Sequence, residues 1–340
     1  MRALPFLAAM LVALTPGSSD IETRARLGDV ARMSAVRVPL DSSDPRRVRV
    51  GALTYLGGVR LESPDPAFGG FSSMRVAGDE FTLVSDSGNV VRFRMGADWR
   101  PHDAQFGDLP DGPGTGFYKW QRDSESLASD PASGRVWIGF ERFNAIWRYD
   151  SGLTRAARSA RPAAMRRWPW NGGPESLARM PGGGFIAISE TSRPKSGAGR
   201  EALLFAGDPT ESKTPPVPFV FVPPDGYDPS DAAALPDGRL LVLTRRLALR
   251  GLFTAKIVLL DPRGVAPGAV LGGTEIATLA APLLHDNFEA IAITREGADT
   301  IIWLATDDNQ EVWEQSLLLK FRLEYGQAKS PPSPGRTGSR

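Results

Sequence analysis

A short apolar stretch, a turn and a second, strongly apolar stretch recur five times along this chain. The copies open at Phe71-Ser-Ser-Met-Arg-Val, Ser124-Glu-Ser-Leu-Ala, Pro174-Glu-Ser-Leu-Ala, Ser230-Asp-Ala-Ala-Ala and Phe288-Glu-Ala-Ile-Ala. Aligned on Ser73, Glu125, Glu175, Asp231 and Glu289, they are spaced by 52, 50, 56 and 58 residues. The turns Asp130-Pro-Ala-Ser-Gly, Pro181-Gly-Gly-Gly and Pro236-Asp-Gly are built from the residues that tight turns need. Third apolar stretches follow at 89–94, 145–149, 202–205, 255–260 and 316–323, with more polar fourth ones at 217–222 and 274–279. Four strands per repeat of about 40–50 residues is the signature of a propeller blade. A helical solenoid is excluded, because no apolar stripe recurs with a 3.6-residue period.

The fifth repeat runs out of chain after its third strand, near Glu324. Its fourth strand is expected from the other end, where Val48-Arg-Val-Gly-Ala-Leu-Thr-Tyr-Leu precedes the first repeat. Such closure removes the two sheet edges that an open array would leave unpaired. The sequence therefore predicts an all-β, five-bladed β-propeller over 48–325, with four strands per blade and the ring closed by an N-terminal strand. The count becomes six if a degenerate blade lies within 96–122, a Pro- and Gly-rich stretch that reads better as a long loop. Residues 20–47 form a polar flank, and the Pro- and Arg-rich 326–340 a disordered tail.

Met1-Arg2, the apolar run Ala3–Leu14 and the small residues up to Ser19 form the pattern of a secretory leader over 1–19. A buried helix at the start of the fold is the competing reading. No A-x-A site precedes Asp20, which leaves the cleavage point open. The apolar run is shorter than the roughly 20 residues that span a bilayer, and no later segment is longer. The expectation is a periplasmic or secreted monomer with no membrane span in the mature chain. A net charge of +1 gives no reason to expect nucleic acid as a partner. With no cysteine and only His102 and His285, thiolate chemistry and histidine-built zinc sites are excluded. There is also no G-x-S-x-G elbow, phosphate loop or dinucleotide fingerprint.

In a propeller the innermost strands line the channel, and their starts meet the ends of the antiparallel second strands on one face. One mouth of the channel is therefore expected to collect Ser73, Glu125, Glu175, Asp231 and Glu289 with Asp86, Glu141, Glu190, Arg245 and Asp307. Carboxylates at the head of buried strands are costly unless something neutralises them. An oxygen-only ligand set favours Ca²⁺, here held by Glu125, Glu175, Asp231, Glu289, Asp86, Glu141 and Asp307. Structural ion pairs and turn caps are the competing explanation of the same acids. His285, beside Asp286 and just ahead of Glu289, reads as a surface hydrogen-bonding residue, with a base at the mouth as the alternative.

The segments Gly69-Gly-Phe-Ser-Ser-Met, Ser85-Asp-Ser-Gly, Arg122-Asp-Ser-Glu-Ser-Leu, Gly139-Phe-Glu-Arg, Gly173-Pro-Glu-Ser-Leu, Ser189-Glu-Thr and Asn287-Phe-Glu-Ala-Ile-Ala resemble the bacterial phytase-like family, also called esterase-like activity of phytase. The resemblance covers about residues 48–324. It implies an exported propeller that hydrolyses phosphate esters or carboxylic esters, with Glu125, Glu175, Glu190 and Glu289 on family motifs. Ser73 and Arg245 interrupt the acidic pattern. The leading expectation is a calcium-assisted hydrolase of a small anionic or ester substrate, with Glu190 or Glu289 as base and Arg245 holding a charged group. A non-catalytic, calcium-stabilised ligand-binding propeller of the cell envelope is the alternative. A calcium-dependent lactonase is a third reading, disfavoured by the lack of a His–His pair.

Overall fold

In the computed structural model, which describes residues 22–248, 252–311 and 313–324, each repeat is one antiparallel sheet. The expected leader and the tail 326–340 lie outside the described residues. Blade 1 comprises Phe71–Ala77, Glu80–Ser85, Asn89–Met95 and Pro101–Asp108, and blade 2 comprises Ser124–Ser129, Val136–Phe140, Ala145–Tyr149 and Ala156–Ala160. Blade 3 comprises Ser176–Arg179, Phe185–Ile188, Arg200–Phe205 and Val217–Val222, with Val270–Gly272 added in parallel at its edge. Blade 4 comprises Asp228–Ala234, Leu240–Ala248, Leu252–Leu260 and Thr274–Leu279. Each innermost strand touches those of its two neighbours, and the fifth, Phe288–Glu296, returns to the first, Phe71–Ala77. Among the described residues no helix is long and apolar enough to cross a membrane.

Blade 5 joins the two ends of the chain. Phe288–Glu296, Asp299–Thr306 and Leu317–Leu323 are completed by Leu53–Glu62, antiparallel with Leu318 opposite Val59. The closing strand lies a few residues further along than the run that announced it, because Arg49–Val50 folds back on Leu53–Thr54. Ser34–Arg37, part of the expected polar flank, adds an outer strand. At the register shift in this pairing stands Gly57 (φ +148°), where a Cβ would lie 2.5 Å from the Trp99 ring. Only glycine admits both that backbone and that approach. The stretch 96–122 holds no sixth blade; it supplies Pro101–Asp108, the fourth strand of blade 1, and then a loop.

The core is divided into five apolar clusters, one at each contact between neighbouring blades. Across the blade 2–3 contact Trp137 meets Phe185 at 4.9 Å, and across the blade 1–5 contact Phe81 meets Trp303 edge-on at 4.8 Å. Each such buried side chain contributes about 1.5–3 kcal/mol of transfer free energy, so no blade is stable without its neighbours. That dependence fixes the angular order of the blades and, with it, which strand heads face one another.

Candidate functional site

The strand heads share a bulge. Register shifts lie between Phe71 and Ser73, Ser124 and Ser126, Pro229 and Asp231, and Phe288 and Ala290. The unpaired residues are therefore Ser72, Glu125, Ser230 and Glu289, with Glu175 immediately ahead of the blade 3 strand. A bulge re-aims the extra side chain while the ladder continues on either side. It also shifts the sequence alignment by one at blades 1 and 4, where serines stand in register with the three glutamates. Ser72 donates to the Ser124 carbonyl and Ser230 to the Phe288 carbonyl at 3.0 Å, so both tie their blade to the next. Asp231 stands one position beyond the bulge, and its two oxygens accept the backbone N–H groups of Ala232 (2.7 Å) and Ile291 (2.9 Å). Burial pushes its carboxyl well above the usual range.

Asp86, Glu141, Glu190 and Asp307 lie past the ends of their second strands, and Arg245 lies inside Leu240–Ala248, a strand that runs on beyond the others; the five positions are in register as the repeats imply. Two groups of carboxylates form on blades 2 and 3. Oxygens of Asp123, Glu125 and Glu141 lie within 4.8 Å of one another, as do those of Glu141, Glu175 and Glu190. Glu141 belongs to both. Asp123 and Glu125 face each other in the first group, and Glu141 and Glu175 in the second. Burial, then the neighbouring acids, raises Glu125 and Glu175 well above the ordinary range and brings Glu141 to about 8. Burial and Asp86 raise Asp123. Like charges this close and this dry do not all ionise together.

The other side of the mouth carries its own cations. Arg245 Nη2 lies 3.0 Å from Glu190 Oε1 and its Nη1 3.2 Å from Glu289 Oε1, while Asn287 Nδ2 donates to Glu289 at 3.0 Å. Lys119 Nζ lies 2.7 Å from Asp86 Oδ2, and the ammonium is raised by that partner with a smaller contribution from Asp307. Arg142 holds Asp123 at 2.6 Å and lies over the Trp170 ring at 4.1 Å. Burial raises Glu289 against the pull of Arg245, and burial with Glu289 and Asp86 raises Asp307. Among the described residues, eight carboxylates (Asp86, Asp123, Glu125, Glu141, Glu175, Glu190, Glu289, Asp307) thus meet three side-chain cations (Lys119, Arg142, Arg245). The excess lies on blades 2 and 3.

An all-oxygen set of this density suits a hard divalent cation. Calcium bonds oxygen at about 2.3–2.6 Å, so ligand oxygens separated by up to about 5 Å can share one ion. Both groups bring three carboxylate oxygens within that reach. Zinc or copper chemistry has no imidazole or thiolate here. Asp123, Lys119, Arg142 and Asn287 complete the mouth beyond the repeat positions. Asp123, just ahead of the strand Ser124–Ser129, and Lys119, at the end of the loop that leads into blade 2, leave no periodic signal. Asp308 is structural, accepting from Gly70 N (2.9 Å) and Ser316 Oγ (2.6 Å), and His285 Nδ1 is 2.6 Å from the Leu283 carbonyl. A cavity of about 990 Å³ opens at the opposite end between Leu127, Leu177, Ala178, Ala232 and Ile291, and none of the eight carboxylates lines it.

Residues 66–310 match the family described as phytase-like, esterase-like activity of phytase. A search of curated proteins finds no match. Among solved structures, glutaminyl cyclase from Myxococcus xanthus is 13% identical with a TM-score of 0.43, covering 75% of this chain and 90% of that one. A chain of the nidogen/laminin complex is 7% identical with a TM-score of 0.43, covering 84% and 93%. Hydrazine synthase from Kuenenia stuttgartiensis is 10% identical with a TM-score of 0.36, covering 71% of this chain and 57% of that one.

Proposed function

The chain belongs to the phytase-like family, and on that premise we propose that it is an exported, calcium-assisted hydrolase of small phosphate esters or carboxylic esters. The observation that carries the reading is the pair of carboxylate groups joined through Glu141, where buried acids outnumber their basic partners. The ion would be held by Asp123, Glu125, Glu141 and Glu175, with Glu190 beside them, while Glu289, Asp86 and Asp307 face the resident cations Arg245 and Lys119. When bound, calcium supplies a positive centre that polarises an ester or phosphoryl oxygen and makes water more acidic.

The protein's own part is to orient and to move a proton. Glu190 keeps 16% of its side chain exposed against 8% for Glu289, which makes it the more accessible base. Arg245 holds Glu190 by Oε1 and so orients its carboxylate. That contact replaces the freer role expected for Arg245: its guanidinium already serves Glu190 and Glu289, and a substrate anion has to share it. Asp231, with both oxygens on backbone amides, is left out of the proposed ligand set.

The test is hydrolysis of p-nitrophenyl phosphate and p-nitrophenyl esters by the purified chain with calcium and with EDTA. Turnover that EDTA abolishes, and that Glu190→Gln reduces about a hundredfold, supports the reading. Absence of turnover together with calcium-dependent melting favours the non-catalytic ligand-binding propeller, a reading supported by the engagement of both candidate bases with Arg245.

A further inference from the structure

The described chain begins on the functional mouth. Lys119 N donates to the Glu22 carbonyl at 3.0 Å, Thr23 bridges to Tyr118, and Arg24 N donates to the Phe117 carbonyl at 3.0 Å. The Arg24 side chain, 1% exposed, donates to the Ser87 carbonyl at 3.1 Å and pairs with Asp108 at the end of blade 1. Asn89 Nδ2 donates to the Ala25 carbonyl at 3.1 Å, and Arg26 reaches the Gly116 carbonyl at 3.4 Å. Residues 22–26 thus cross the mouth end of blade 1 and seize the loop that leads into blade 2.

That loop, Pro110-Asp-Gly-Pro-Gly-Thr-Gly-Phe117, has three glycines and two prolines and ends on a phenylalanine that is 58% exposed. It has little apolar surface with which to hold its own conformation against the entropy of its glycines. Immediately beyond it, Lys119 reaches into the mouth to Asp86 at 2.7 Å, and Trp120 stacks on Phe143 at 5.6 Å beside Arg142. Fixing the backbone at 117–119 therefore fixes where the ammonium sits. A guanidinium as buried as that of Arg24 is costly unless its partners hold it, so the anchor is specific.

We propose that the arm 22–26, acting through Arg24, is a positioning element of the mouth: it holds Lys119 on Asp86 as a built-in counter-cation and so sets how much negative charge the mouth offers an ion. The charge-setting half rests on the calcium reading; the positioning half does not. Arg24 touches no reacting group and acts through Lys119.

The experiment compares the full chain with Arg24→Ala, Lys119→Met and the double variant. By hydrogen exchange, Arg24→Ala is expected to speed the amides of 117–121 about tenfold while leaving Val136–Phe140 unchanged, and Lys119→Met to leave both unchanged. By calorimetric titration with calcium alone, each single variant tightens the Kd about threefold, and the double no further than Lys119→Met, because one variant removes the Lys119 ammonium and the other releases it from Asp86. Wild-type exchange at 117–121 in Arg24→Ala, or additive effects on the Kd, overturns the proposal. If Arg24→Ala does not fold, Arg24→Lys, which keeps the charge and loses the planar fork, is read in the same way. Calcium binding by none of the proteins overturns the charge-setting half together with the calcium reading, while exchange still decides the positioning half.

Discussion

Arg245 of blade 4 lies 3.2 Å from Glu289 of blade 5, with its other terminal nitrogen 3.0 Å from Glu190 of blade 3. In blade 4 the position held by an acid in the other four blades is basic, and the bulge position held by glutamate in blades 2, 3 and 5 is Ser230. One repeat has exchanged both charges, and its cation neutralises the acids on either side. Arg245→Gln leaves the buried Glu289 and the half-buried Glu190 without their partner. A loss of about 3–5 kcal/mol is expected, the size seen when one member of a buried pair is removed. The loss is larger at pH 8 than at pH 5, because protonation relieves an unpaired acid. Urea unfolding at the two pH values checks this, and equal losses at both would contradict it.

The raised acids of blades 2 and 3 predict an unusual pH profile without calcium. Glu141 binds its proton up to about pH 8, whereas in the unfolded chain it releases it near the ordinary glutamate value of 4.5. Between those values the folded state holds more protons, so stability falls as pH rises, by up to about 1.4 kcal/mol per pH unit for each such group. Glu125, Glu175 and Asp123 shift in the same direction. The melting temperature in EDTA should therefore drop from pH 5 to pH 8. Calcium should restore it most at pH 8, where it competes with the fewest protons. A flat profile in EDTA would mean that the cluster is ionised and otherwise neutralised.

What was legible in the sequence was what repeats. Strand order, the acids after the second strands and ring closure by an N-terminal strand all follow from period and composition, because each blade must bury the same faces. The bulge is invisible to that reasoning: it adds a residue without changing residue types, so Ser73 and Asp231 align by eye with the glutamates while Ser72 and Ser230 occupy their register. Lys119 and the arm at 22–26 were equally hidden, since their contacts with Asp86 and Phe117 join segments that share no pattern. Arg245 was legible as an interruption of the acidic ring, but not as a bridge between Glu190 and Glu289.

Glu141 and Asp231 separate ion binding from framework. Glu141 lies in both carboxylate groups, so Glu141→Gln should weaken calcium about tenfold or more. It should also raise the stability of the calcium-free protein at pH 8 by removing a group that resists ionising. Asp231→Ala removes the acceptor of two buried N–H groups, of which that of Ile291 joins blade 5 to blade 4, at a cost of about 1–3 kcal/mol, with calcium affinity unchanged. Calorimetric titration and urea unfolding of both variants give the four values. A large loss of calcium affinity in Asp231→Ala would return that residue to the ligand set.

Ring closure is testable on a single strand. Val59 is fully buried opposite Leu318 and packs into the cluster between blades 5 and 1, whereas Leu56, three residues earlier, is 38% exposed. A charge at Val59 has no partner within reach of the apolar cluster, so Val59→Asp should cost more than about 3 kcal/mol. Leu56→Asp should change stability by no more than about 0.5 kcal/mol. Because Leu53–Glu62 pairs with Leu317–Leu323 to complete the four-stranded blade, losing it exposes that ladder as a free edge. Val59→Asp is therefore also expected to associate at high concentration, as seen by light scattering. If both substitutions are tolerated alike, the N-terminal strand does not close the ring.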